Sequence, residues 1–197
     1  MKYFFVCFSL LLSISFTSFA QSTETDPLPS NYLGVGLGIN ATGLIGVTFE
    51  HIFKEHIGVY GSAGIGSWGY KLGAGGRLYF KNVHSGAVGV NLSHATGQKE
   101  LVLPLNVIQN GQQVEKDVTI DQHPVEVLNL SYLKFWKMGK TARFNLEVVY
   151  SVPLSGKNSD NYTIVTPGIT LDQSSKNALN SSQPGGLILA IGFTFGI

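Results

Sequence analysis

Residues 187–197 read Leu-Ile-Leu-Ala-Ile-Gly-Phe-Thr-Phe-Gly-Ile, with a large apolar side chain at every second position. From position 190 onward, the intervening residues are small or bear a hydroxyl: Ala190, Gly192, Thr194 and Gly196. Successive side chains of a β-strand point to opposite faces, so a period of two indicates a strand. This stretch therefore predicts a strand with one apolar face and one face of small groups.

Seven further segments alternate with the same period, and large apolar side chains share one face in them, less regularly in residues 124–136 than in the others. They are residues 32–40, 44–53, 57–66, 70–80, 86–94, 124–136 and 143–152. Segments of about ten residues are long enough to cross a bilayer as tilted strands. The sequence therefore predicts an all-β fold, an eight-stranded antiparallel up-and-down transmembrane β-barrel.

A soluble barrel of the lipocalin type also has eight alternating strands, but its large apolar residues point inward. Its outer surface would then consist of rows of glycine, of which the chain has 24, with scattered charges. Glycine forms strands poorly and contributes little to solubility. With the apolar face turned to lipid, the small residues instead fill the narrow lumen that eight strands enclose. The alternation thus favours a membrane barrel.

The N-terminus predicts export. Residues 1–20 carry a single charge, Lys2, near their start, followed by an apolar run that is too short for a spanning helix. They end on small residues at Ser18 and Ala20, as cleavable secretory signals do. We expect residues 21–31 to be a flexible periplasmic segment and residues 32–197 to form the barrel in the outer membrane of a Gram-negative-type bacterium.

Little in the composition suggests other chemistry. The one cysteine, Cys7, lies within the predicted signal, so we expect no disulfide and no thiol chemistry in the mature chain. The 13 basic and 12 acidic side chains become equal in number once Lys2 is removed, which gives no indication of a nucleic-acid partner.

If both termini face the periplasm, lipid-facing aromatic residues should mark the periplasmic ends of the strands. Five aromatic residues fall at those ends: Phe53, Phe80, Trp136, Phe144 and Phe195. Short connections, at residues 54–56, 81–85 and 137–140, fall on the same side. The two long connections, residues 95–123 and 153–185, are therefore predicted to be outer loops.

The first outer loop contains a predicted hairpin, with arms at residues 101–107 and 114–120 around Asn110-Gly111, a strong turn signal. Its arms could be two more membrane strands, giving a ten-stranded barrel. Lys116 would then face lipid at a cost of roughly 2–4 kcal/mol near the midplane, so we expect the hairpin to extend the barrel wall beyond the membrane. Residues 163–171, around Pro167-Gly168, predict a second and weaker hairpin.

The terminal strand ends in Phe193-Thr194-Phe195-Gly196-Ile197, and together with the eight alternating segments it resembles the OmpA-like and OmpX-like outer membrane protein β-barrel superfamily. The resemblance covers residues 32–197. It implies contact with outer-membrane lipid and lipopolysaccharide, and recognition of the C-terminal strand by the barrel-assembly machinery. The sequence departs from the superfamily in ending on Ile197 instead of an aromatic residue, and we expect no peptidoglycan-binding domain after the last strand.

Five charged residues are predicted inside the barrel: Glu50, Lys71, Arg77, Arg143 and Glu147. Their mixed signs predict a luminal ion-pair network with Arg77 as its hub, facing Glu50 across Gly58. We favour a structural network that satisfies groups shut away from water. A selectivity constriction or a proton path is the alternative.

Three rim residues, His94, Asp121 and His123, are weak candidates for chemistry, together with Ser93. Some barrels of this size modify lipid A with a Ser/His/acid set, but the deacylase-like His-X-Ser spacing is absent here. Two histidines alone also make a weak metal signal.

We therefore expect a non-enzymatic outer-membrane barrel without a cofactor, with a structural role or a possible extracellular ligand at its long loops. A narrow porin-like diffusion channel is the first alternative. A lipid A-modifying enzyme is the second.

Overall fold

The computed structural model describes residues 29–38, 43–54, 56–109, 111–156 and 159–197. The predicted signal peptide and most of the predicted periplasmic segment lie outside these residues. The described residues form one 3-10 turn, Ser159–Asn161, one helix, α1 (Gln173–Ser182), and eleven strands. The strands are β1 (Asn31–Gly38), β2 (Ile45–Lys54), β3 (Ile57–Gly66), β4 (Gly69–Tyr79), β5 (Gly86–Ala95), β6 (Leu101–Gln109), β7 (Gln112–Gln122), β8 (Val125–Met138), β9 (Ala142–Pro153), β10 (Tyr162–Ile164) and β11 (Gly186–Gly196).

Eight of these strands form a closed antiparallel barrel in the order β1-β2-β3-β4-β5-β8-β9-β11, and β11 pairs back with β1. In the closing pair, Leu33 lies opposite Phe195 and Val35 opposite Phe193. Each barrel strand overlaps one of the eight strands predicted from alternation. The predicted fold class is confirmed, and the alternative of ten barrel strands is wrong.

The large apolar side chains of the barrel strands point outward and the small and polar ones point inward. Leu33 is 48% exposed, whereas its neighbour Tyr32 is fully buried in the lumen. We call the outward set the apolar belt; among its members are Val35, Val47, Phe49, Val59, Leu72, Val90, Leu130, Tyr150, Leu189 and Phe193. This distribution is the inverse of a soluble barrel and is the one expected of a barrel surrounded by lipid.

The two ends of the barrel differ. At one end, here called the turn end, lie the short connections that follow β2, β4 and β8. At the other, the loop end, lie a tight β3–β4 turn and the two long connections. Gly69 in that turn has a φ of +79°, and a Cβ there would meet the Gly97 carbonyl oxygen at 2.2 Å. A side chain at position 69 would therefore push the first long connection away from the barrel rim.

The two long connections fold together into one unit at the loop end. It consists of β6, β7, β10 and α1, and we call it the surface subdomain. The predicted hairpin forms, with Gly111 at a φ of +76° in its turn. Contrary to expectation, however, the hairpin does not extend the barrel wall, because β6 and β7 belong to a separate sheet of order β10-β7-β6.

The predicted second hairpin, at residues 163–171, is wrong. Thr163 pairs with Asp121 on β7, while Leu171 forms a bridge with Val107 on β6. The two arms therefore pair with opposite edges of the sheet and not with each other. The segment between them crosses the sheet and leads into α1.

The surface subdomain has its own apolar core. Its buried members are Leu105, Val107, Val118, Ile120, Tyr162, Leu171 and Leu179. Helix α1 begins after Asp172, whose carboxylate accepts a hydrogen bond from the Ser175 amide at 2.8 Å, a typical N-cap. The Ser175 hydroxyl accepts in turn from the Asn106 amide at 2.8 Å, which fixes the helix against β6.

Across the described part of the chain, no helix combines the length and the apolar character needed to span a membrane.

Candidate functional site: the lumen and its mouth

An apolar cluster fills the turn end of the lumen, and we call it the apolar plug. Its members are Tyr32, Ile52, Tyr79, Val83, Ala87, Leu133 and Phe135, each 7% exposed or less. Six of them come from inward positions on strands. Val83 comes from the connection between β4 and β5, which folds back into the barrel.

The carboxylate of Glu50 lies next to this plug and is almost fully buried. Its Oε2 accepts from Arg77 Nη1 at 3.0 Å and from Arg143 Nη2 at 2.5 Å. Its Oε1 accepts from the Tyr79 hydroxyl. A Cβ at Gly58 would lie 2.8 Å from Glu50 Oε1, so the glycine leaves the space through which Glu50 reaches Arg77.

Glu50, Arg77 and Arg143 form a layer of buried charges, which we call the charged layer. Arg143 is fully buried and joins this layer to the apolar plug. Its Nε donates to Thr194 Oγ1 at 2.8 Å, and its Nη1 donates to the Val83 carbonyl at 2.7 Å. Its guanidinium also lies 3.9 Å from the ring centroid of Tyr32 and 4.3 Å from that of Phe135. Such stacking stabilises a cation away from water.

Arg77, the predicted hub, has fewer contacts than Arg143. Besides Glu50, it lies 4.1 Å from the ring centroid of Tyr60. Its Nε has no hydrogen-bond partner among the described residues. The structure thus places all five predicted luminal charges inside the barrel, with Glu50 and Arg143 at the centre of their contacts.

Lys71 and Glu147 lie on opposite walls nearer the loop end, on β4 and β9, and both are buried. The two side chains interact electrostatically across the lumen. Within the described ranges, Glu147 Oε1 has no hydrogen-bond partner. Glu147 lines a cavity of about 40 Å³ together with Arg77, Thr48 and Asn145. A polar cavity of this size can hold water.

Sequence reasoning missed a buried polar cluster on β5, β8 and β9. Asn129 Nδ2 donates to Asn91 Oδ1 at 2.5 Å and to Ser93 Oγ at 2.9 Å, and Ser151 donates to Asn129 Oδ1. Inward alternation places these residues in the lumen. Only the strand register brings them together, since Asn91 and Ser151 both lie opposite Asn129.

The loop end of the lumen is closed by a second apolar cluster, Trp68, Ala95, Val125 and Val127, also missed from the sequence. Trp68 comes from the β3–β4 turn, and its indole Nε1 donates to the His123 carbonyl at 2.8 Å. Beside it lies a cavity of about 290 Å³, which we call the mouth cavity. Its lining includes Ser67, Trp68, Lys71 and the chain from α1 into β11.

The five predicted girdle residues lie at the turn end of the barrel. Phe53 and Phe80 are more than half exposed, Phe195 is half exposed, and Trp136 is 38% exposed. The Trp136 and Phe144 ring centroids lie 5.6 Å apart, and Phe144 lies 5.1 Å from Phe193. These residues form part of an outward-facing aromatic row, as membrane interfaces favour.

The rim candidates do not converge. His94 Nδ1 lies 2.6 Å from Glu126 Oε1, and His123 contacts the Asp160 carbonyl and Thr163 Oγ1. Asp121 accepts from the Glu100 amide. Ser93 points into the lumen and its neighbour His94 points outward, because adjacent strand residues face opposite sides. His94 therefore cannot act as the base for Ser93.

In the described ranges, no group of three or more His, Cys, Asp or Glu side chains is placed to hold a metal ion.

His84 at the turn end is a half-buried titratable group that the sequence did not single out. Neither ring nitrogen has a hydrogen-bond partner in the part of the chain that the structure describes. Burial, together with the nearby charges of Arg143 and Lys137, lowers the pKa of His84 to about 4. The connection that carries Val83 into the plug thus holds a neutral histidine at neutral pH.

No protein-family model matches the chain, and no curated protein matches it. A comparison with solved structures finds the crystal structure of Acinetobacter baumannii CarO. CarO is 11% identical and aligns over 88% of this chain and 100% of that chain, with a TM-score of 0.45. Values this low transfer no function, and the resemblance to OmpA-like and OmpX-like barrels stays a prediction.

Proposed function

We propose that the chain is a non-enzymatic barrel of the bacterial outer membrane that holds the surface subdomain outside the cell, for structural support or for contact with an extracellular ligand. One observation carries this proposal. Two connections separated by about thirty residues in sequence fold into a single unit with its own apolar core, above a barrel that is filled.

The apolar belt supports the membrane location. Its side chains would contact outer-membrane lipid and, on the outer leaflet, lipopolysaccharide, since exposing so much apolar surface to water is unfavourable. The aromatic row at the turn end then marks the periplasmic interface, and the loop end faces outward. The apolar outer face of β11, with Phe193 and Phe195, is the surface proposed to meet the barrel-assembly machinery.

The filled lumen supports a non-conducting barrel over the alternative of a diffusion channel. The apolar plug and the second apolar cluster, which contains Trp68, occupy opposite ends of the lumen. The charged layer between them consists of side chains in contact with one another. Charges arranged in this way satisfy each other instead of lining an open path.

Labelling of intact cells tests this orientation. Gln113→Cys places a thiol on the exposed hairpin of the surface subdomain, and Asn82→Cys places one in an exposed connection at the turn end. A membrane-impermeant maleimide should label the first variant on whole cells and the second only after the outer membrane is opened. The reverse pattern, or labelling of both on whole cells, would contradict the proposal.

A further inference from the structure

Strand β10 is an edge strand of the surface subdomain, since the sheet has the order β10-β7-β6. The Val165 amide donates to the Thr119 carbonyl of β7 at 2.9 Å. Main-chain groups of antiparallel strands point alternately to one side and to the other. The carbonyl of Tyr162 and the amide and carbonyl of Ile164 therefore point away from β7. An edge of this kind can accept a further strand.

A groove of about 550 Å³ lies between this edge and α1, and we call it the subdomain groove. Its lining residues are Tyr162, Thr163, Ile164, Leu171, Gln173, Lys176 and Asn180. The three from α1 are spaced three and four positions apart, which places them on one face of the helix. Tyr162 and Leu171 belong to the apolar core of the surface subdomain, so the groove has an apolar base.

Lys176 places a positive charge on the helix wall of the subdomain groove, and its side chain is exposed. Asp172 is the acid one helical turn before it. The Asp172 carboxylate accepts from Gln113 Nε2 at 2.8 Å and from the Ser174 hydroxyl at 2.7 Å, so it is engaged at the start of α1. The other described residues that line the groove are uncharged. The charge of the groove therefore favours a ligand with an acidic group.

We propose that the subdomain groove binds an extended peptide of another protein, which adds to β10 as a further strand and places an acidic side chain beside Lys176. Main-chain hydrogen bonds to Tyr162 and Ile164 hold such a strand, and every second side chain enters the groove. This proposal names a ligand class for the extracellular contact in the proposed function. It rests on that function only for the source of the peptide.

Binding of a labelled peptide to the full chain in detergent micelles tests the proposal. The probe is the end-blocked peptide Thr-Val-Thr-Glu-Thr-Val-Thr, in which the two valines and the glutamate share one face of a strand. Fluorescence polarisation compares it with peptides that carry glutamine or lysine in place of glutamate. We expect saturable binding of the glutamate peptide, about threefold weaker binding of the glutamine peptide, and the weakest binding of the lysine peptide.

Reversing the charge of the groove should reverse this order. In Lys176→Glu, the lysine peptide should bind more tightly than the glutamate peptide, because the repelled and the attracted ligand exchange places. Lys99→Glu is the matched control: Lys99 is also exposed but does not line the groove. That variant should keep the order of the parent protein.

The main chain of β10 is tested separately. Ile164→Pro removes an amide that points to the groove and not to β7, so the pairing of β10 with β7 can remain. It should weaken binding of the glutamate peptide about tenfold, whereas Ile164→Val, which keeps the amide, should bind like the parent protein. Should Ile164→Pro unfold the subdomain, peptides N-methylated at alternate amides replace it. Methylation of one alternate set should abolish binding and methylation of the other set should not.

Several results would overturn the groove as a peptide site. They are the absence of saturable binding, equal binding of the glutamate and lysine peptides, an unchanged order in Lys176→Glu, and equal effects of the two methylated sets. Unchanged binding in a folded Ile164→Pro variant would do the same. None of these results alters the whole-cell labelling pattern, so failure of the groove can be told from failure of the proposed function.

Discussion

Replacing Glu50 with glutamine should destabilise the barrel by about 3–5 kcal/mol, the range found when one partner of a buried ion pair is removed. The substitution keeps the shape of the side chain but removes the negative charge between Arg77 and Arg143, whose nitrogens both contact Glu50 Oε2. Two buried guanidinium groups would then face each other without their shared counter-ion. Urea unfolding in micelles, followed by heat-modifiable gel mobility, measures the loss.

Glu126→Gln is the matched control for this substitution. Glu126 contacts His94 at 2.6 Å, but both side chains are about half exposed. Exposed ion pairs contribute about 0–1 kcal/mol, so the control should stay close to the parent protein. Equal unfolding midpoints for Glu50→Gln and Glu126→Gln would show that the charged layer is not what stabilises the barrel.

Replacing Ile120 with alanine should open the surface subdomain while leaving the barrel intact. Ile120 is fully buried between the sheet and α1, and truncation of such a residue costs about 2–5 kcal/mol. Limited proteolysis in detergent should cut the subdomain at least about tenfold faster, because cleavage follows the population of the opened form. The barrel fragment should keep its heat-modifiable mobility.

Val102→Ala is the control for Ile120→Ala, because Val102 lies on the exposed face of the same hairpin and is 56% exposed. It should be cut at the rate of the parent protein. If Ile120→Ala also abolished the heat-modifiable mobility of the barrel, the subdomain and the barrel would be one cooperative unit, contrary to this account.

The barrel was predictable because the alternation that indicates each strand lies within a short stretch of sequence. An inside and an outside follow from a period of two within each strand, and the turn positions follow from interruptions of that period. Residue by residue, this reasoning places Glu50, Arg77 and Arg143 in the lumen. It does not say which of them touch, because their contacts depend on the register around the closed barrel.

The surface subdomain was only half predictable for the same reason. The β6–β7 hairpin has a local signal at Asn110-Gly111, but its partners come from the second long connection. The Asn106–Ser175 hydrogen bond, for example, joins residues 69 positions apart. Residues 163–171 gave a local turn signal at Pro167-Gly168. Their two arms nevertheless pair with the free edges of the β6–β7 hairpin, Thr163 with β7 and Leu171 with β6, and not with each other.

Trp68 and Val83 were missed because each lies in a connection and not in a strand. Alternation gives no direction for such residues. A tryptophan between glycines in the short turn Gly66-Ser67-Trp68-Gly69 is a signal that could have been used, since a large aromatic side chain in so tight a turn favours burial over solvent.

The solvent that the folded chain requires shows whether the apolar belt faces lipid. The purified mature chain should fold in detergent micelles or lipid vesicles, shift its mobility on heating, and precipitate when detergent is withdrawn. A folded monomer that stays soluble without detergent or lipid would contradict the membrane barrel.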